Sequence, residues 1–142
     1  MYSLICPYNI IVPRKTKAGK KYAINLNMYR NWSHFLNNDI KKLYREYMYE
    51  QLQHLPHFDV LYIIYKTYYA TNGRHDKGNV LSVTQKFFLD ALVETETIDD
   101  DNDSIIKAEL QLEWAVDRND PRVEVILFDS KREFKEYIKK HL

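Results

Sequence analysis

Apolar positions recur along the chain with two periods, and the places where the period changes divide it into elements. Residues 9–13, NIIVP, and 22–26, YAINL, are short runs of β-forming residues on either side of the basic, turn-like RKTKAGKK, so a hairpin or a loose loop is expected there. From residue 31 the spacing turns helical: Trp32, Phe35, Leu36, Ile40, Leu43, Tyr47 and Leu52 share one stripe, which ends before Pro56. A long amphipathic helix is predicted.

Residues 58–71, FDVLYIIYKTYYAT, are dense in β-branched and aromatic side chains and hold no glycine or proline. That is the pattern of a buried central strand, with Tyr62, Tyr65, Tyr68 and Tyr69 expected in the core and a dimer face as the alternative place for them. The strand runs into the turn NGRHDKGN, after which Asn79 can cap a helix reaching Glu96, with Val80, Val83, Phe87, Phe88, Ala91 and Leu92 as its apolar stripe. In residues 105–116 the period drops to two, and Ile106, Ala108, Leu110, Leu112 and Trp114 are expected on one face of a half-buried strand. RNDP then reads as a turn and RVEVILF as a second strand, the two forming an antiparallel hairpin. SKREFKEYIKKHL opens on a serine cap and closes on lysines that suit the negative end of a helix dipole. The sum is a single α+β domain over residues 1–142, order βαβαββα, a mixed sheet packed with helices. A basic arm occupies about residues 13–30 and the C-terminal helix about residues 130–142.

Composition narrows the class. A chain of 142 residues suits one domain, and 45% hydrophobic with 29% charged residues excludes disorder as the default. No apolar run is long enough to span a bilayer, and MYSLICPYNII lacks the basic lead and small-residue cleavage site of a signal peptide, so a cytoplasmic setting without a membrane partner is expected. The lone Cys6 can form no internal disulfide and reads as a packed small residue. A net charge of +1 hides an asymmetry: Arg14, Lys15, Lys17, Lys20, Lys21, Arg30, Lys41, Lys42 and Arg45 crowd the first third, while residues 90–120 are mostly acidic. Such a division suits an enzyme that holds a polyanion through bound cations, and it suits ordinary solvated surface equally well.

The acidic run TIDDDND, residues 97–103, carries the candidate chemistry. Asp99, Asp101 and Asp103 alternate as in a calcium EF-hand loop, but that loop needs glycine sixth and glutamate twelfth, where Ser104 and Leu110 stand. Zinc is poorly served, since His54 and His57 flank Leu55-Pro56 and the one cysteine is remote. Neither a phosphate-cradling glycine loop nor a serine nucleophile elbow can be found. There remain Asp76 at the end of the central strand and Asp99, Asp100 and Asp101 beyond the next helix. A strand end and a loop returning from the neighbouring helix can lie side by side, and Mg²⁺ needs only one or two carboxylates besides water and phosphate oxygens. At about 100° per residue, Asn79, Lys86 and Asp90 fall within roughly 40° of one another, so one polar helix face can look into the same site. A solvated helix face ending in an acidic loop stands as the alternative.

The combination of Asp76-Lys77-Gly78-Asn79, QKFFLDAL (residues 85–92) and TIDDDNDSII, preceded by NLNMYRNW and a long helix, resembles the RusA family of Holliday junction resolvases, small endonucleases common in phages and prophages. The resemblance runs from about residue 10 to 128 in the same element order. It implies Asp76 and Asp101 as Mg²⁺ ligands, with Mn²⁺ a possible substitute and Asp100 a neighbouring or alternative ligand. It also implies Lys86 at the scissile phosphate, Asn79 bracing the turn, and Asp90 anchoring the helix or lying near a dimer contact. The family acts as a homodimer that cuts two strands of four-way DNA junctions with Mg²⁺, so the expected activity is metal-assisted paired hydrolysis of phosphodiesters in four-way or branched DNA, and no small-molecule substrate is expected. Arg14, Lys15, Lys17, Lys20, Lys21 and Arg30 would hold the DNA backbone. Two positions depart from the family pattern: Gly78 replaces a second aspartate, and Asn79 precedes Lys86 by about one helical turn more than usual. Asp99 or Asp103 would then have to make up the missing carboxylate. Otherwise the chain is a RusA-fold protein that binds branched DNA or a protein partner without cutting.

Overall fold

The computed structural model describes residues 1–142, the side chain of Lys77 excepted. The elements are β1 (Tyr2–Pro7), β2 (Asn9–Val12), β3 (Lys20–Ala23), α1 (Leu26–Tyr29), α2 (His34–Leu52), β4 (Leu61–Tyr69), α3 (Lys77–Glu94), β5 (Ile106–Val116), β6 (Arg122–Phe128) and α4 (Lys131–His141). One mixed sheet has the order β1-β6-β4-β5, in which β6 is antiparallel to both its neighbours and β4 is parallel to β5. A separate hairpin pairs β2 with β3. This is the α+β domain with a mixed sheet that the hydrophobic pattern predicts.

Strand β4 is apolar on both faces because helices cover both. Leu61, Ile63, Tyr65 and Tyr69 point into the larger core with Val80, Val83, Phe87, Phe88, Ala91 and Leu92 of α3, and with Ile40, Tyr44, Met48 and Leu52 of α2. Ile64 points the other way, into a smaller core with Leu112, Ile126, Phe128 and Phe134 of α4. The central position and the α3 stripe thus agree with the pattern, and Tyr65 and Tyr69 are core residues, whereas Tyr62 and Tyr68 are half-buried.

Four differences from the sequence reading have physical causes. Residues 2–7 form a further strand, β1, which seals the edge of β6 by turning Leu4 and Cys6 inward; with it and the short α1, the order becomes βββααβαββα. Strands β5 and β6 are not a hairpin, because β4 lies between them. Residues 117–121 cross over the end of β4, where the Asp117 N–H donates to the Tyr69 carbonyl at 2.9 Å and Arg122 bonds Asp117 at 2.9 Å while stacking 4.0 Å over the Tyr68 ring. Helix α3 begins at Lys77 and ends at Glu94, capped not by Asn79 but by Asp76, whose carboxylate accepts the Gly78 N–H at 3.1 Å. Helix α2 buries a single i, i+4 row, Ile40, Tyr44, Met48 and Leu52, and leaves Phe35 and Tyr47 exposed.

Strand β5 departs furthest from simple alternation. Its pairing with β4 slips between Leu61/Tyr62 and again between Tyr65/Thr67, and Glu113 adopts a left-handed φ of 53°. Each slip exchanges the faces. Ala108 and Leu112 therefore pack toward α4, whereas Ile106 belongs to the larger core and Trp114, paired with Thr67, faces the α3 side next to Tyr69. The five residues expected on one face are divided between two.

Candidate nucleic-acid interface at the end of the central strand

Where β4 ends and α3 begins, a cleft of ≈ 310 Å³ opens. Asn25, Asn27, Arg30, Arg74, Asp76 and Asn79 supply its polar lining. Local sequence explains how they meet. Asn25 caps the short α1 by accepting the Met28 N–H at 2.9 Å, and the Asn79 side-chain oxygen accepts the Asn27 N–H at 3.2 Å, which ties α1 to the first turn of α3. Behind them Tyr22, Tyr29 and Trp32 pack edge-on or stacked around one another and Phe87, which fixes α1 and the hairpin to α3. Asp76 and Asn79 are thus held by α3, and Arg30 by the end of α1.

The hairpin rises from this same place. Tyr8, just before β2, and Asn25, just after β3, both line the cleft, and the Ile24 N–H donates to the Tyr8 carbonyl at 3.0 Å. Gly19 in its loop lets the backbone pass close to Ile11, since a Cβ there would lie 2.6 Å from the Ile11 side chain and force it to shift. Arg14, Lys15, Lys17, Lys20 and Lys21 are all exposed on it. Arg14 Nε donates to the Ala18 carbonyl at 2.8 Å, and the Lys20 ammonium lies 5.1 Å from the Tyr22 ring centroid. The expected hairpin and the expected exposed cations are both present.

The acidic run lies elsewhere. It leaves the far end of α3 and enters β5 beside the first residue of β4, since the Leu61 N–H donates to Ile105 and the Phe58 N–H to Thr97, each at 2.8 Å. The 18 residues of α3 at about 1.5 Å each separate Asp76 from this loop by roughly 27 Å. Asp99 pairs with His57 Nε2 at 3.0 Å, and Asp100 accepts the Asp101 N–H at 2.8 Å and the Asn102 amide at 3.1 Å. Those bonds, the backbone one first, hold the exposed Asp100 carboxyl below its ordinary range. Within one chain, then, Asp76 and Asp101 do not share an ion, and neither Asp99 nor Asp103 reaches Gly78. Among the described residues no group of three or more His, Cys, Asp or Glu side chains is arranged to hold a metal. The shared Asp76–Asp101 centre that the resemblance implies for Mg²⁺ is therefore not formed within a single chain.

Lys86 is exposed halfway along α3, about 15 Å along the axis from Asp76 at about 1.5 Å per residue. Asp90 binds Lys41 of α2 at 3.0 Å, and one turn on Glu94 binds Arg45 at 2.6 Å, so Asp90 anchors α3 to α2 as expected. The hollow of ≈ 400 Å³ beside this second pair has its cation already neutralised.

Sequence reasoning passed over Arg74 and His75, although they adjoin Asp76, and placed Trp114 on the apolar face of a half-buried strand with Leu112. All three surround a second hollow of ≈ 440 Å³ that shares Tyr69, Arg74 and His75 with the cleft.

Fold and site together define an α+β protein with an arginine-flanked polar cleft at the outgoing end of its central strand, crowned by a cationic hairpin. No helix among the described residues is long and apolar enough to cross a membrane. The sequence matches no protein-family model and no curated protein.

Proposed function

We propose that this chain binds the sugar-phosphate backbone of branched DNA at the cleft and hairpin, as a non-cutting protein of the RusA type. The observation that carries the reading is convergence: Arg30 and Arg74, from separate parts of the chain, meet at one mouth from whose wall the cationic hairpin rises. Guanidinium groups and asparagine amides are donors suited to phosphate oxygens, and contacts of this kind fix position on DNA without reading sequence. The carboxylates of the far loop lie away from the cleft, and Asp76, which lines it, accepts the Gly78 N–H. The homodimer implied by the RusA resemblance would present two such ends to a two-fold symmetric four-way junction.

A gel-shift titration with a four-way junction and a matched linear duplex tests the reading. The junction is expected to bind more tightly, and Arg30→Ala/Arg74→Ala to weaken both complexes. Absence of any DNA complex at low salt would refute it. Incubation with Mg²⁺ or Mn²⁺ should leave the strands intact. Paired nicks abolished in Asp76→Asn and Asp101→Asn would instead restore the resolvase reading, with Asp101 supplied by a second copy.

A further inference from the structure

The hollow beside the cleft has walls of a different chemistry. His75 stacks on Tyr69 with ring centroids 3.8 Å apart and an interplanar angle of 11°, and Trp114 stands edge-on to both at 6.0 and 6.4 Å. Tyr69 is buried, whereas Trp114 is 58% exposed. Its volume of ≈ 440 Å³ is that of a small-ligand pocket, typically roughly 300–1,000 Å³.

The backbone is distorted where it presents Trp114. Leu112 and Glu113 lie together opposite Lys66, and Glu113 adopts its left-handed φ of 53° within this bulge. Without the bulge Trp114 would follow Leu112 onto the α4 face. The distortion turns an indole from the α4 face onto a cationic mouth, and re-aiming a side chain is a known use of bulges beside functional sites.

Resting on the DNA reading above, we propose that this hollow receives an unpaired nucleobase of the bound strand, stacked on Trp114 with its edge toward His75, while Arg74 and Arg30 hold the adjoining phosphate. Aromatic faces accept any base, and guanidinium groups accept the phosphate beside it, so the pairing selects for unpaired nucleotides rather than for sequence. Arg74 lines both the hollow and the cleft, which sets the base site and the phosphate site one side chain apart. A bulge, a single-stranded flank or a branch point with an opened base pair supplies such a base; a continuous duplex does not.

The test compares the full chain with Trp114→Ala and Trp114→Phe on two labelled DNAs, a continuous duplex and the same duplex carrying three unpaired thymines, by fluorescence anisotropy. Wild type is expected to favour the thymine-bearing DNA, and Trp114→Ala to lose about ten-fold on that DNA alone, the scale of one base–aromatic stack. Phenylalanine should restore most of the loss. Binding of the thymine-bearing DNA should also quench indole fluorescence in wild type and much less in Trp114→Phe, which retains only Trp32. Unchanged affinity of Trp114→Ala for the thymine-bearing DNA, or an equal loss on both DNAs, overturns the base site and leaves the DNA reading standing. Failure of wild type to bind either DNA overturns both. Because Trp114 is exposed, thermal melting of the variants should match wild type within a degree or two.

Discussion

Asp76 shows how one side chain can invite a functional reading and have a structural duty. Its carboxylate caps α3, so Asp76→Ala should cost about 1 kcal/mol, measured by denaturant unfolding, while Asp76→Asn, which keeps an accepting oxygen, should cost a few tenths at most. A cap was legible at this turn, but the sequence reading gave it to Asn79, because both residue types cap well and only the path of the chain decides between them. Cys6 was legible as a packed residue. Burial pushes its thiol up to about 12, so a thiol reagent at pH 8 should leave the folded chain unmodified and label one cysteine after unfolding in guanidinium. Asp117 is held below its ordinary value by its hydrogen bond with Arg122. A group depressed in the folded state stabilises above its unfolded value, and that contribution is lost as the pH falls through the folded one. The melting temperature should therefore fall on acidification below about pH 4, less steeply in Asp117→Asn, and an unchanged slope would show the pair to be inert.

Among elements, those whose burial follows from one period were legible, and those that depend on a neighbour were not. Strand β4 and helix α3 carry continuous or striped apolar runs, which suffice to predict them. The partner of β5 is another matter, because alternation says nothing about whether a strand turns back on the next one or lies parallel to the last. The bulge is still less visible: LQLEWAV alternates cleanly, and only the pairing with β4 reveals that Glu113 is extra. Strain there is measurable. Glu113→Gly removes the left-handed penalty, about 1 kcal/mol, and gives up only a 3.7 Å contact with Lys66, so the variant should be equally stable or more so. A loss of more than about 1 kcal/mol would mean that the bulge is held by the glutamate side chain rather than tolerated in spite of it.

For the molecule as a whole, the division of charge along the sequence survives in space only in part: the cationic hairpin and arginine cleft lie at the outgoing end of β4 and the acidic loop at its beginning, but Lys41 and Arg45 pair with Asp90 and Glu94, and Asp117 and Asp120 pair with Arg122 beyond the outgoing end. The expectation that Asp76 and Asp101 of one chain meet failed for a topological reason. A strand, a helix and a second strand parallel to the first put an acid that follows one strand and acids that precede the next at opposite ends of a sheet. What the sequence could not supply was the direction of β5, and with it the distance between Asp76 and Asp101. The cations needed no such knowledge, since exposed lysines and arginines on a hairpin act by charge and proximity. Their collective role is measured most directly by titrating the affinity for a four-way junction against salt, in wild type and in Lys20→Ala/Lys21→Ala. A linear and steep fall of log affinity with log salt is expected, with the slope made shallower by about 0.9 for each phosphate contact the double variant loses. An affinity indifferent to salt, or a slope that the two substitutions leave unchanged, would contradict a DNA-backbone interface on this hairpin and cleft.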